Sequence, residues 1–180
     1  RKVTASRLKT YAGTSSIGDI TDVSMDITNF TDGILIQPNS DGSAPTTGTL
    51  NGANENVGIG NAVFTALTSA DNCVGIGSYA LDALTTGGNN VALGYLAGSS
   101  QVDGTGNTYL GYGSGYVGTG GSNNVFVGVE AGRDTTSGEN IAIGYQAALA
   151  NTSGADIIAI GENAYDAADT ESSNIAIGKS

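Results

Sequence analysis

Acidic residues are the only side chains present in numbers that could serve as acids or bases. The chain has no histidine, which removes His-based triads, imidazole proton transfer and His-ligated zinc. Cleaving a glycosidic bond needs two carboxylates about 5–10 Å apart. Asp134 with Glu139, Asp166 with Asp169, and Glu130 beside Arg133 are the candidates. Acids in turn positions are ordinarily just solvated, so no catalytic activity is expected of them. Gly178-Lys179-Ser180 ends like a phosphate-binding loop, but Ser173 stands where the earlier glycine is required. The Gly-Ile-Gly triplets at 58–60 and 75–77 belong to a repeat, not to a dinucleotide fingerprint. No cofactor and no metal site is expected, and the nonapeptide Gly/Asp pattern of calcium-binding rolls is absent. What remains is recognition. Tyr95, Tyr112 and Tyr145 each follow a glycine of the repeat directly, so they line up at one corner of a rod. They are candidate receptor contacts, able to stack on sugars of a host surface or to pack between subunits.

Those tyrosines are placed by a repeat whose clearest copy is Asn140-Ile141-Ala142-Ile143-Gly144. Its closing glycines are Gly60, Gly77, Gly94, Gly111, Gly128, Gly144, Gly161 and Gly178, so the period is 17 residues with a single step of 16. A period this strict predicts stacked coils rather than a conventional core. Three places before the glycine stand Val57, Val74, Val91, Thr108, Val125, Ile141, Ile158 and Ile175. One place before it stand Ile59, Ile76, Leu93, Leu110, Val127, Ile143, Ile160 and Ile177. Two residues apart is the strand period, so both columns share a face. The residue between them is Gly or Ala in six copies, with Tyr109 and Phe126 as exceptions. It faces the other side, where a small side chain lets another backbone layer approach.

The opening residue is Asn56, Asn90, Asn107, Asn124, Asn140 or Asn174, replaced by Cys73 and Ile157 in two copies. Asparagine suits a corner because it bonds local backbone and tolerates left-handed conformations, and stacked asparagines can bond from coil to coil. The closing glycine permits positive φ or close packing. A second segment follows each glycine, with Val63, Ala80, Ala97, Ser114, Ala131, Ala147 and Ala164 at its third place, and returns through a polar turn. At about 4.8 Å per strand, seven steps make a rod about 34 Å long. The glycine-rich stretch 98–121 reads as a thin or flexible waist.

With 29 glycines, no tryptophan and few aromatics, the chain has little bulk to bury. Association of several chains is therefore expected to complete the burial. Net charge is −11, and four of the six basic residues, Arg1, Lys2, Arg7 and Lys9, crowd the start. The rest carries Arg133 and Lys179 against 17 acids, which argues against nucleic-acid binding. That acidity reads as a solubility device, with calcium binding as the sharper alternative. The lone Cys73 has no intrachain partner, and no apolar run is long enough for membrane insertion by a helix.

Residues 1–50 read as an N-terminal connector and linker, and 51–180 as the repeat domain. In the connector, Val23, Met25 and Ile27 alternate as a strand, Asn29 to Gly33 supply a turn, and Gly33 to Gln37 form a second strand. This unit is expected to pack against copies of itself or against an upstream neighbour. The stretch around Pro38 and Pro45 reads as a linker. The chain starts with Arg and stops two residues after a closing glycine, as a piece of something longer would.

Runs such as Asn140-Ile-Ala-Ile-Gly-Tyr-Gln-Ala-Ala148 and Asn90-Val-Ala-Leu-Gly-Tyr-Leu-Ala97 resemble the repeats of YadA-like heads of trimeric autotransporter adhesins, and similar repeats of phage tail fibres, over about residues 56–180. The resemblance implies an all-β, left-handed parallel β-roll of about eight 17-residue coils wound in a homotrimer. The period is longer than the bacterial heads usually have, and no neck or membrane anchor is visible. The front segment, with Asp32-Gly33-Ile-Leu-Ile-Gln-Pro38, looks more like the connectors of phage fibres. The expectation is a virion structural protein: a tail-fibre segment at the virion surface, joined to other virion proteins through its N-terminal segment. It would space, or itself mediate, attachment to a host-surface glycan or protein. The alternative is a bacterial adhesin head on the outer surface.

Overall fold

The computed structural model describes residues 23–27, 30–37, 46–166 and 170–179. The basic cluster, the Pro38 to Pro45 linker, Asp169 and Ser180 lie outside them. Two strands open the chain, β1 (Val23–Ile27) and β2 (Phe30–Ile36). Eight three-residue strands follow: β3 (Val57–Ile59), β4 (Val74–Ile76), β5 (Val91–Leu93), β6 (Thr108–Leu110), β7 (Val125–Val127), β8 (Ile141–Ile143), β9 (Ile158–Ile160) and β10 (Ile175–Ile177). They form one ten-stranded sheet in chain order. β1 and β2 pair antiparallel, and β2 to β10 pair in parallel. Nine parallel strands thus build a β-solenoid of about seven turns, with no helix among the described residues. Equivalent repeat positions stand over one another, Val57 on Val74 and Ile141 on Ile158. The short step does not disturb this register. An added Cβ on Gly118 would meet Thr135 and one on Gly121 would meet Ser137, so the polar turn between them absorbs the missing residue.

The strands alternate as expected, but the sense is opposite to hydrophobicity. The middle residue points inward: Gly58, Gly75, Ala92, Tyr109, Phe126, Ala142 and Ala159 are all buried. The branched residues on either side point outward and stay half-exposed, Leu93 at 45% and Ile143 at 38%. A coil this small cannot enclose two bulky columns, so the small column goes inside and meets the equally buried Val63, Ala80, Ala97, Ser114, Ala131, Ala147 and Ala164.

Interior volume is balanced coil by coil. Where the strand centre is Gly58 or Gly75, Phe64 fills the space from the opposite wall. Where it is Tyr109 or Phe126, the opposite wall is Gly98, Gly115 and Gly132, whose added Cβ atoms would lie 2.3–2.5 Å from the rings. The two rings pack together with centroids 5.8 Å apart, and the Tyr109 hydroxyl donates to Gln101 Oε1 at 3.2 Å. The stretch 98–121 is therefore not a thin waist. Two of its glycines, Gly98 and Gly115, are recesses that the buried rings of Tyr109 and Phe126 occupy.

Inside the corner runs a ladder of buried amides. Asn56 Oδ1 accepts the N–H of Cys73, and Asn90, Asn107, Asn124 and Asn140 accept those of Asn107, Asn124, Asn140 and Ile157, all at 2.9–3.0 Å. The Nδ2 groups of Asn56, Asn90, Asn107 and Asn124 donate to carbonyls of the next polar turn at 2.7–3.1 Å. Cys73 keeps the donor function: its thiol lies 3.4 Å from Asp71 O and 3.5 Å from Gly87 O. Burial pushes that thiol up, so it stays protonated. The left-handed residue is not the asparagine but the one before it, as at Asn72 (φ 59°), Asn89 (59°) and Glu139 (64°).

β2 does not wait for another chain. Ile34 stands over Val57 and Ile36 over Ile59, so β2 adds a strand to the solenoid. It also starts earlier than expected, since Phe30 to Asp32 are strand rather than turn. Leu35 enters the core, and buried Gln37 bonds Thr46 through both its oxygen and its nitrogen and also donates to Val63 O. These two side chains close the interior at that end.

The closing glycines have φ between 129° and 147°. An added Cβ on any from Gly60 to Gly161 would lie 2.3–2.5 Å from the carbonyl oxygen of the next one, whereas Gly178 has open space. Both positions share the backbone strain, so the pair isolates the clash. Gly111→Ala should cost about 2 kcal/mol more than Gly178→Ala in urea denaturation. Equal losses would mean that coil-to-coil contact does not select the glycine.

Candidate functional site

Two exposed features follow from this arrangement. The first is the outward aliphatic face, two adjacent columns running the length of the sheet from Ile34 to Ile177. The second is the corner immediately beyond the closing glycines, where Tyr95, Tyr112, Val129 and Tyr145 succeed one another at 41–50% exposure. A stacked register turns one sequence position into a continuous stripe, which is why both features are linear.

The stripe is not a uniform tyrosine ladder. Tyr95 and Tyr112 stack, with centroids 5.7 Å apart and planes at 22°. Tyr79, one place further along its coil, meets Tyr95 edge-on at 6.1 Å and 87°. Tyr145 occupies the same column but is separated from Tyr112 by the coil carrying Val129. Of the three expected contacts, two form a unit and the third stands apart.

Asn56, Asn90, Asn107, Asn124 and Asn140 are buried, and Asn174 near the last coil is half-buried, donating to the Tyr165 hydroxyl at 3.0 Å. All serve the scaffold. Of the acid candidates, Glu130 and Asp134 converge on Arg133. The guanidinium bonds both Asp134 oxygens at 3.0 Å and Glu130 Oε1 at 3.5 Å, and Gln146 Nε2 donates to Glu130 Oε2 at 2.7 Å. The adjacent Asp134 bond holds the Arg133 charge most strongly and raises its pKa, with Glu130 adding to it. Glu139 sits at its own left-handed turn position, and Lys179 pairs with Glu162 at 2.9 Å.

Beside this cluster is a groove of about 370 Å³, walled by Tyr112, Tyr116, Leu96 and Val117, with Glu130, Arg133 and Asp134 at one end. Tyr116 was not separable in the sequence from Tyr165, since neither continues the corner column. The fold separates them: Tyr165 stands at the repeat position of Phe64, partly buried against the core, and Tyr116 remains outside. The usable signal was the shared repeat position of Tyr116 and Arg133, each five places past a closing glycine.

Comparisons with protein-family models, with curated proteins and with solved structures find no match to this chain.

Tyr95 touches two rings and Tyr145 has no neighbouring tyrosine in its column. Tyr95→Ala should therefore lower stability by about 0.5–1.5 kcal/mol, and Tyr145→Ala by less than about 0.5 kcal/mol, in denaturant titrations. Equal effects would contradict the paired arrangement.

Proposed function

We propose that this chain is a segment of a homotrimeric virion fibre, a tail fibre or similar appendage, in which the solenoid acts as a rigid spacer and contributes to attachment at a host surface. The observation that carries the reading is the outward aliphatic face. Monomeric soluble proteins rarely leave contiguous apolar surface beyond a few hundred Å² uncovered. Here two columns of Val, Ile and Leu, interrupted only at Thr108, extend across nine parallel strands. Covering them with the same face of other copies buries all protomers equally, as a closed cyclic assembly requires. Three copies, and a left-handed winding of each, are what the repeat's resemblance to trimeric adhesin heads and phage fibres implies.

A spacer role fits the remaining features. Every coil bonds backbone to backbone with the next, so a pull along the rod is shared by parallel ladders with no domain joint between β2 and β10. The acidic surface limits lateral sticking between fibres. The N-terminal segment is the part assigned to docking on other virion proteins.

Light scattering after size exclusion at several dilutions tests the assembly, with Leu93→Asp and Ile143→Asp as controls. The expected result is a persistent mass of three chains, reduced to one chain by the paired aspartates while the far-ultraviolet spectrum is retained. A clean monomer for the unmodified chain would overturn the fibre reading.

A further inference from the structure

The groove beside Tyr112 is a gap in the repeat. Two places past the closing glycines from Gly60 to Gly161 the chain carries Ala62, Tyr79, Leu96, Gly113, Glu130, Gln146 and Asn163. All share left-handed φ between 54° and 59°, so six coils hold a side chain there and one does not. Gly113 is not needed for backbone conformation, because its neighbours in the column adopt the same φ without being glycine. It is not needed for packing either: an added Cβ would touch only Glu130 Cγ, at 3.7 Å. What the glycine does is leave a notch between Leu96 and Glu130, with Tyr112 and Tyr116 beside it.

The notch joins two kinds of surface. Tyr112 is held against Tyr95 by stacking, and Tyr116 is 38% exposed, so ring surface is available along the groove. At the polar end, Arg133 uses three of its five N–H groups on Asp134 and Glu130, and Glu130 is fixed in turn by Gln146. Donors and acceptors therefore sit side by side, already ordered without a ligand, which lowers the entropy cost of binding. The volume lies at the small end of the range for small-molecule clefts, about 300–1,000 Å³.

We propose that this groove is a binding site for a neutral saccharide unit, with the apolar face of a pyranose ring against the tyrosines and its hydroxyls bonded to Glu130, Arg133 and Asp134. A hydroxyl both donates and accepts, which matches a mixed carboxylate and guanidinium end. Two carboxylates to one guanidinium leave the site net negative within an acidic chain, which disfavours an anionic sugar. A basic peptide side chain is less well served, because Arg133 would face it. Every lining residue lies after a closing glycine, whereas the aliphatic columns lie before it. The site therefore goes beyond the fibre reading and stands or falls separately from it.

Saturation-transfer NMR on the full chain tests this, with glucose, galactose, mannose and N-acetylglucosamine as probes, N-acetylneuraminate as the anionic control and N-acetyl-lysine amide as the basic control. Transfer to at least one neutral sugar is expected. Gly113→Gln, which fills the notch with the side chain found at Gln146, and Tyr116→Ala should each weaken it about tenfold or more. Lys179→Ala, at the last coil and outside the groove, should leave it unchanged. Light scattering and thermal melting of each variant confirm that assembly and fold are retained. Absence of transfer to all four neutral sugars, preference for either control, or binding that survives Gly113→Gln in a folded variant would each overturn the proposal.

Discussion

Everything in this molecule depends on the bond between one coil and the next at the asparagine corner. A buried amide is tolerable only when its oxygen and nitrogen both find partners, because leaving one unmet costs about 1–3 kcal/mol. In the stack, Asn56, Asn90, Asn107 and Asn124 meet both demands from neighbouring backbone, and in doing so satisfy an N–H and a carbonyl of the adjacent coil, while Asn140 accepts the next coil's N–H and turns its Nδ2 to Gly138 O of its own turn. The corner is thus specified by pairs of coils rather than by any one. Cys73 preserves half of the pattern through a protonated thiol. Ile157 preserves none of it, and nearby Asn151 holds its own turn instead, bonding both the N–H and the carbonyl of Gly154 at 2.9–3.0 Å.

That corner, and glycines whose Cβ would strike the next coil, hold successive coils close together, and a coil of about 17 residues leaves its own walls little space between them. Close walls leave an interior of small side chains, and bulk on one wall must be matched by its absence on the other. Phe64 over Gly58 and Tyr109 over Gly98 and Gly115 are two solutions of the same constraint. The larger aliphatic columns have nowhere to go but outward. An interior this thin and an exterior this apolar are one fact seen from two sides, and this links the fold to assembly.

Much of this was legible in the sequence because a strict repeat converts spacing into register. The strands, the small inner columns, the positive φ of the closing glycines and the coil-to-coil role of asparagine all follow from positions that recur. Features that depend on a comparison between coils were not legible. Glycine content alone reads as flexibility; only contact with Tyr109 and Phe126 reveals it as room for a ring. Alternation alone places Ile141 and Ile143 on one face without saying which face is inside. β2 lacks the 17-residue spacing, Ile34 pairing across 23 residues to Val57, so its membership in the sheet left no periodic trace. The groove arises from Gly113, a departure from the repeat, and departures carry no signature of their own.

The central claim is that stacked asparagine side chains, not loosely packed turns, tie the coils together. Amide hydrogen exchange measures it directly. The N–H groups of Cys73, Asn107, Asn124, Asn140 and Ile157, each accepted by an asparagine Oδ1 of the preceding coil, should rank among the slowest to exchange in the chain, slower than that of Asn174, whose counterpart in the preceding coil is Ile157. Exchange of those five at the rate of amides in the exposed turns would contradict the account.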